Sequence, residues 1–150
     1  MKTVKPQQPA VEGWFSLDGA APHLIGSRCT ACGTYCFPKE TFFCRNPVCA
    51  SSALEEVPLS RRGRLWSYTN NCYAPPPPFV AADPFQPYAV AAVELEKERM
   101  VILGQVEAGV GVTELEIGMP MELTVGTLYQ NAEREVLIWK WRPLAAEGGA

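Results

Sequence analysis

Histidine is almost missing from this chain of 150 residues, because His23 is the only one. General acid or base catalysis near neutral pH usually needs a positioned histidine or a carboxylate with a shifted pKa. His23 lies beside Pro22, and the sequence places no serine or cysteine near it. We therefore expect no catalytic residues in this chain.

Long apolar runs are also missing. The first residues, MKTVKPQQPAVEGWF, contain no continuous apolar core after their lysines, and no later run is long enough for a membrane span. These absences exclude a secretory signal at this position and a membrane protein. They lead us to expect a cytoplasmic protein.

Positive charge is scarce, with 13 basic against 16 acidic residues, a net charge of −3 and a pI near 5.2. Such a balance is unfavourable for binding a polyanion. A module for single-stranded nucleic acid is nevertheless the alternative from another functional class. It would stack bases on Trp66, Tyr68 and Tyr73 beside a local arginine cluster.

Cysteine, in contrast, is concentrated, since five of the six lie between residues 27 and 52. Disulfides, a metal site and redox chemistry compete for such a cluster, and a reducing cytoplasm disfavours disulfides. The pairs Cys29/Cys32 and Cys44/Cys49 have the arrangement of two zinc-binding turns. Gly33 follows the second ligand, where a tight turn needs a positive φ angle.

Four thiolates leave no open coordination position, so the metal is expected to be one structural zinc, with iron as the other candidate. The second pair is wider than usual, with Asn46 and Pro47 forming its turn. Alternatives are a pair of turns without metal, redox use, or replacement of one ligand by Cys36. Cys72, outside the cluster, is expected to be a small buried or interfacial residue.

The chain divides into four regions: a flexible arm at 1–12, a short helix followed by the ribbon at 13–53, a β domain at 54–143, and a flexible tail at 144–150. The helix is expected to begin at Trp14 and Phe15. The fold class is therefore mainly β.

Strand patterns fill the β domain. The predicted strands are 63–73, 88–96, 99–108, 121–130 and 135–143. Between the third and fourth, Thr113 and Glu116 resemble a capping box, and Gly118 would end a single helical turn. Five strands with a helical turn at that point is the order of the OB fold, a Greek-key barrel. Trp66, Trp139 and Trp141 are expected in its core or at its rim.

A proline-rich loop, residues 74–88, joins the first two of these strands. It contains six prolines together with Phe79 and Phe85, and polyproline geometry makes it stiff. Two phenylalanines on such a loop favour docking on another chain or over a ligand. The alternative is that the loop folds back over one open end of the barrel.

The whole layout resembles the DUF35 family of acyl-CoA-associated zinc-ribbon OB-fold proteins, over roughly residues 13–143. The motifs that carry the resemblance are RCTACG, RRGRLWSYT, the proline-rich first loop and IGMPMEL. Each motif alone is common, whereas their combination is specific. The gap of four residues between Cys44 and Cys49 departs from the two residues more usual in the family.

The resemblance implies a non-catalytic accessory subunit of a thiolase-superfamily enzyme, in a hetero-oligomer such as a heterotetramer. The partner would carry the catalytic groups and act on an acyl-CoA. We expect thiolytic cleavage of a bulky β-ketoacyl-CoA of the benzoylsuccinyl-CoA type, met in anaerobic aromatic degradation. Retro-aldol cleavage of a steroid acyl-CoA, archaeal-type ketoacyl transfer and a purely stabilising scaffold are the alternatives.

Two groups of residues are expected to serve that role. Arg61, Arg62 and Arg64 would meet coenzyme A phosphates, because guanidinium groups pair with phosphate bidentately; a solvated basic turn beside Glu55 and Glu56 is the alternative. The expected partner interface consists of Trp14, Phe15, Pro76, Pro77, Phe79 and Phe85.

Overall fold

The structure, a computed structural model, describes residues 5–17, 21–77, 80–81 and 84–144. Nine strands and one 3-10 turn make up its regular structure within these ranges. They are β1 (Gln7–Pro9), β2 (Ile25–Cys29), β3 (Tyr35–Cys36), β4 (Leu54–Pro58), β5 (Arg62–Asn71), β6 (Tyr88–Leu95), β7 (Val101–Val106), the 3-10 turn (Val112–Glu114), β8 (Pro120–Gln130) and β9 (Glu135–Pro143). None of the helical structure in the described ranges is long and apolar enough to cross a membrane.

Strands β5 to β9 close into a five-stranded barrel. The sheet runs β9-β7-β6-β5-β8, and β8 also pairs with β9, so the first and last strands meet. All neighbours are antiparallel except β7 and β9, which are parallel. This is the OB-fold order expected from the sequence, and the strand bounds agree with the prediction to within two residues.

Alternation along each strand explains why the barrel closes around a single core. Leu65, Val93, Ile102, Leu123 and Trp141 are buried, one from each barrel strand, and belong to the same apolar cluster. Their immediate neighbours in sequence are in part exposed, because successive side chains on a strand point to opposite faces. A chain of this length can bury such a core without disulfides.

The N-terminal helix expected at Trp14 and Phe15 does not form in the described residues. Phe15 instead makes a β-bridge with Leu24, and both side chains are buried. Trp14 stacks on Trp139 with ring centroids 6.1 Å apart, and Phe37 meets Trp139 edge-on at 5.8 Å. The apolar pair Trp14-Phe15 thus packs on the barrel core, where the sequence suggested a helical turn.

Part of the arm expected to be flexible at 1–12 is a strand. β1 pairs in parallel with β9, with Gln8 opposite Val136, and the Gln7 amide donates to the Glu135 carboxylate over 3.1 Å. The tail predicted at 144–150 lies outside the described residues except for Leu144, whose N–H bonds to the Pro120 carbonyl.

The helical turn between β7 and β8 is present but shorter than expected, and its cap is different. The Gly111 N–H donates to the Glu114 carboxylate over 2.9 Å, whereas the sequence suggested Thr113 and Glu116 for this role. Gly118 has a φ of +88°, as its predicted place at the end of the turn requires. Leu115, just after the turn, is buried in the core.

A second, three-stranded sheet precedes the barrel, in the order β3-β2-β4. β2 is antiparallel to both neighbours, with Ser27 opposite Cys36 on one side and Glu56 on the other. The sheet ends at Cys29, so its edge positions the first cysteine of the ribbon.

Candidate functional site

The first cysteine turn follows β2 directly. The Cys29 carbonyl accepts the Gly33 N–H over 2.8 Å, and the Cys29 N–H donates to the Thr34 carbonyl over 2.9 Å. Gly33 has a φ of +82°, which confirms the positive angle expected from its place after Cys32. This tight turn places the thiols of Cys29 and Cys32 on the same side.

The wider second turn is organised by Asn46. Its carbonyl accepts the N–H groups of Cys49 and Ala50 over 3.0 and 3.1 Å, and its side-chain oxygen accepts the Val48 N–H over 3.1 Å. Its own N–H points at the Cys44 sulfur, 3.4 Å away. These bonds fold the four intervening residues into a compact loop, so the long gap still brings Cys44 and Cys49 to one centre.

The four sulfur atoms of the two turns lie close together. The ligand atoms of Cys29, Cys32, Cys44 and Cys49 all lie within 4.8 Å of one another. Two pairs are closer, Cys29 with Cys49 at 3.7 Å and Cys32 with Cys44 at 3.6 Å. Zinc–sulfur bonds of about 2.3 Å in a tetrahedron separate the sulfurs by about 3.8 Å. The donor set therefore fits a structural zinc.

The pKa values of the cysteine thiols also favour a bound cation. The Thr34 hydroxyl bonds to the Cys32 sulfur and lowers the pKa of that thiol to about 6. The Asn46 N–H lowers the pKa of Cys44, but burial and the neighbouring thiols outweigh it and raise the value to about 11. Four thiolates cannot ionise together at neutral pH unless a metal neutralises them.

Cys36 lies in β3 and is buried at 5% exposure, outside the group of four. It lies opposite Ser27 in the pairing of β2 with β3. The other four cysteines already supply four sulfurs, so the site does not need Cys36 as a ligand. Cys72, which the sequence suggested to be buried or interfacial, is exposed just after β5. Its sulfur lies 3.5 Å from the Asn70 carbonyl.

The three arginines expected to meet coenzyme A bond to different groups of the chain. Arg61 donates to the carbonyls of Pro22 and Leu123 over 2.8 and 3.4 Å. Arg62 bonds to the Glu122 carboxylate over 3.1 Å. Arg64 is exposed and makes a single described bond, to the Gly118 carbonyl at 3.3 Å. All three guanidinium groups thus have acceptors within the chain, and only that of Arg62 is a carboxylate.

Glu122 is the buried centre of this charged group. Its carboxylate is about 93% buried and is bound by Arg62 and Arg142. The hydrogen bond from Arg142, more than that from Arg62, holds the pKa of Glu122 below its usual range. The pairing of Arg62 with Glu122 across β5 and β8 brings these groups together from residues sixty positions apart.

An open cleft of about 520 Å³ lies along the outer side of β8 and β9, next to β1. Arg61 and Arg142 line it, together with Gln7, Glu135 and Thr127. Thr127 donates to Glu135, and this bond, with that of Gln7, keeps the pKa of Glu135 low. The cleft therefore contains both basic and acidic side chains, and Glu135 bonds to Gln7 and Thr127 within it.

Two exposed apolar areas were not predicted. On the barrel, Trp66 of β5 and Leu103 of β7 are 61% and 64% exposed. Of the three tryptophans expected in the core or at the rim, Trp139 and Trp141 lie in the core and Trp66 lies outside it. Leu65 points into the core, so Trp66, the next residue of the strand, points outwards. The pairing of β5 with β6 is irregular at the same place, between Leu65 and Ser67. On the ribbon, Phe42, Phe43 and Val48 are also exposed.

The residues expected at a partner interface differ in their exposure to solvent. Pro76 and Pro77 are exposed, and Phe85 is half-buried with its ring 6.2 Å from that of Tyr88. Phe79 lies outside the described residues. Phe15 is buried within the chain and Trp14 packs on the core, so neither offers much surface to a partner. Tyr73 is exposed and Tyr68 packs against the core.

His23 has a neighbour that the sequence did not predict. Its Nδ1 lies 3.4 Å from the Ser16 hydroxyl, because the bridge between Phe15 and Leu24 brings the two residues together. The backbones also bond, Ser16 N–H to His23 carbonyl, over 2.8 Å. The pair therefore belongs to a hairpin-like backbone contact.

Comparison with protein families assigns both parts of the chain. Residues 18–55 match the ChsH2 rubredoxin-like zinc ribbon domain, and residues 56–126 match the ChsH2 C-terminal OB-fold domain. The junction between the two matches falls within β4.

Relatives match over most of their length. The chain is 36% identical over 129 residues to the benzoylsuccinyl-CoA thiolase subunit BbsA of Thauera aromatica, covering 85% of this chain and 81% of that protein. It is 32% identical over 125 residues to a DUF35 domain-containing scaffold protein of Pyrococcus furiosus, covering 81% and 83%.

Among solved structures, the Ltp2-ChsH2(DUF35) aldolase contains a chain that is 30% identical, with a TM-score of 0.60. The match covers 81% of this chain and 84% of that one. Zinc ribbon, OB barrel, sequence identity and coverage agree, and the chain therefore belongs to the DUF35 family, whose members join a ChsH2-type zinc ribbon to an OB-fold domain.

Proposed function

We propose that this protein is a non-catalytic accessory subunit of a thiolase-superfamily enzyme that acts on acyl-CoA thioesters. The observation that carries the proposal is the likeness, over more than 80% of both chains, to a chain named as a thiolase subunit and to a chain of the Ltp2-ChsH2(DUF35) aldolase. The exposed apolar areas on both halves of the chain support it, because such patches on a small protein commonly mark contacts with another chain.

The reaction that we favour is thiolytic cleavage of a bulky β-ketoacyl-CoA of the benzoylsuccinyl-CoA type. The BbsA relatives of Thauera aromatica and Geobacter metallireducens support this choice, at 36% and 32% identity. Retro-aldol cleavage is the second candidate, favoured by the likeness to the Ltp2-ChsH2(DUF35) aldolase. In both cases the partner carries the nucleophile and bases, and the complex contains two copies of each chain.

The proline-rich loop and the outer barrel face form the contact with the partner's acyl pocket in this proposal. Pro76 and Pro77 are exposed on the loop, and Trp66 is exposed on the adjacent β5. Tryptophan is enriched among residues that dominate interface energies. We propose a supporting contact with coenzyme A phosphate for Arg64, which is exposed and has no described carboxylate partner.

The zinc is structural in this proposal and lies apart from the reaction, since all four thiolates would be engaged. Before zinc binds, four neighbouring thiols avoid oxidation to disulfides only in a reducing compartment. We accordingly place the complex in the cytoplasm.

Reconstitution tests the proposal. The catalytic thiolase-type subunit encoded with this protein would be purified alone and with it, and both would be assayed for thiolysis of a β-ketoacyl-CoA and for retro-aldol cleavage. We expect turnover of one substrate class to depend on this protein. Equal turnover by the catalytic subunit alone would contradict the proposal.

Variants separate an active-site contact from simple stabilisation. Phe85→Ala, assayed in an intact complex, should raise KM or lower kcat if the loop contacts the acyl pocket. Ile117→Ala, at an exposed apolar position between the 3-10 turn and β8, serves as the control. Unchanged kinetics for Phe85→Ala at unchanged assembly would leave a scaffold role and exclude the loop contact.

A further inference from the structure

A buried lysine on the barrel has no role in the proposed function. Lys140 lies in β9 between Trp139 and Trp141, and only 8% of it is exposed. Its tryptophan neighbours belong to the core, so Lys140 faces the other side of the strand, the outer side of the barrel. Lysine is rarely buried to this extent without a partner.

Gly126 of β8 makes room for the lysine side chain. A β-carbon at Gly126 would lie 3.0 Å from Cδ and 3.2 Å from Cε of Lys140. The methylene chain thus crosses the strand surface over this glycine. Lys140 also lines a cavity of about 150 Å³, whose other walls come from β6, β7, β8 and the last part of the proline-rich loop.

No partner for the Lys140 ammonium occurs among the residues that the structure describes. Neither a hydrogen bond nor an ion pair within 4.0 Å joins it to any of them. Burial lowers the pKa of Lys140, and the more distant Glu107 carboxylate only partly opposes this effect. Among the described residues, the one buried side-chain nitrogen or oxygen without a partner is Trp141 Nε1, so the Lys140 ammonium keeps some contact with solvent. An anion beside it would pair with a partly desolvated charge.

The other walls of the cavity define what kind of anion fits. Gln105 and Gln86 contribute amide groups, and Phe85 and Leu128 contribute an apolar side. A phosphate would need more than one cation or several donors. One ammonium with neighbouring amides suits a carboxylate, and the apolar side suits a short carbon chain attached to it.

Size limits the ligand further. Since a water molecule takes roughly 30 Å³ of liquid volume, the cavity of about 150 Å³ holds roughly five water volumes. The cavity is open to solvent, so it accommodates a carboxylate with a few carbons and lets a longer chain extend outwards.

We propose that this cavity is a carboxylate-binding site, in which the Lys140 ammonium holds the carboxylate, Gln105 donates beside it, and Phe85 and Leu128 pack on the attached carbons. The carboxylate belongs either to a free short-chain acid or to the free end of an acyl thioester. The site is a property of this chain alone and does not depend on a partner enzyme.

Titration of the full-length, zinc-loaded protein with butyrate tests the proposal, with lysine ε-methylene signals followed by NMR. We expect one lysine signal, assigned to Lys140 by its loss in Lys140→Met, to shift saturably with butyrate but not with butyramide. Lys140→Met should weaken binding at least about tenfold, because a charged hydrogen bond is lost. Lys97→Met, at an exposed position in the turn before β7, should bind like the natural protein.

Gly126→Ala gives a second variant that retains the lysine. The new methyl group would displace the Lys140 side chain, so butyrate binding should weaken while the zinc content stays unchanged. Absence of a saturable shift in the natural protein, an equal shift with butyramide, or equal losses in Lys97→Met and Lys140→Met would each overturn the site.

Two further experiments test whether Lys140 has a partner within the chain and whether the bound carboxylate belongs to a free acid or to an acyl thioester. Asp83 is the one acidic residue between positions 74 and 93 and lies outside the described residues. If Asp83→Asn lowers the measured Lys140 pKa and the natural protein binds no butyrate, the lysine has an internal partner and the proposal is wrong. Succinyl-CoA and butyryl-CoA differ in a free carboxylate, so a shift with succinyl-CoA alone would identify acyl thioesters as ligands, and a shift with free acids alone would exclude them.

Discussion

Glu122 shows how one residue connects the two ends of the barrel sheet. Its carboxylate accepts from Arg62 of β5 and Arg142 of β9 while lying on β8, so three strands meet at one charge. The two guanidinium groups are themselves partly exposed, at 58% and 42%. Removal of the carboxylate would leave them free to turn towards water, which limits the cost.

Glu122→Gln should lower the free energy of unfolding by about 1–2 kcal/mol at neutral pH, through the loss of charged hydrogen bonds. The folded-state pKa of Glu122 is lowered, so its contribution is present above the unfolded value and disappears as the pH falls through the folded one. Urea unfolding between pH 7 and pH 3 should therefore show the largest gap between variant and natural protein at neutral pH. Glu133→Gln, at an exposed position, is the control, and a gap that widened in acid would contradict this account.

The same residues show a limit of sequence reasoning. Three arginines within four positions suggested a phosphate site, yet Arg62 faces a carboxylate sixty residues away and Arg61 bonds to backbone carbonyls. Partners of this kind are set by strand register, which no local pattern reports. The burial of Lys140 was not predicted either, because no local sequence pattern distinguishes a buried lysine from an exposed one.

At the scale of elements, the zinc ribbon was the most predictable part of the chain. Ligand spacing and Gly33 are local features, and the structure brings the four predicted sulfurs together. The adjacent strands β2, β3 and β4 were not predicted, because β3 has two residues and the others have five, too short for a clear alternation. β1 was missed for the same reason, since its sequence QQP lacks any apolar periodicity.

Zinc content tests the ligand set. The natural protein should contain one zinc per chain by elemental analysis, and Cys44→Ser should lose it, because a three-thiolate set is incomplete. Cys36→Ala should retain the metal, since Cys36 lies outside the four-sulfur group. Loss of zinc from Cys36→Ala with retention by Cys44→Ser would show that Cys36 is the ligand instead.

Strand β7 depends on a glycine where two tryptophans cross it. A β-carbon at Gly104 would lie 2.9 Å from Trp141 Cδ1 and 3.0 Å from Trp139 Nε1. Trp139 also donates to the Leu103 carbonyl over 3.0 Å, which fixes its ring over the strand. The indoles therefore have little room to move away.

Gly104→Ala should destabilise the barrel by about 1–3 kcal/mol, the usual cost of overpacking a core. Gly111→Ala is the matched control, because a β-carbon there would meet nothing within 4 Å. Chemical unfolding followed by tryptophan fluorescence measures both. Equal stability of the two variants would mean that the tryptophans adjust more freely than their contacts indicate.

For the whole molecule, the OB barrel was predictable because strand order and the turn before β8 follow from the sequence, while the docking of the N-terminal segment was not. Trp14 and Phe15 pack on Trp139 from more than a hundred residues away. The result is one apolar cluster that includes Phe15 and Leu24 from before the ribbon and Leu65 and Trp141 from the barrel. A joint core of this kind would hold the ribbon on the barrel, so that a partner would meet both halves as one surface.

The proposed function requires this molecule to work as a subunit of a larger complex. Native mass spectrometry of the untagged protein purified from its source cells, with intact complexes dissociated to identify chains and metal, tests it most directly. We predict a thiolase-type chain in fixed ratio with this protein and one zinc per copy. A free monomer, or a monomer carrying oligonucleotide, would contradict the claim and direct attention to the exposed Trp66 and Tyr73 as a nucleic-acid surface.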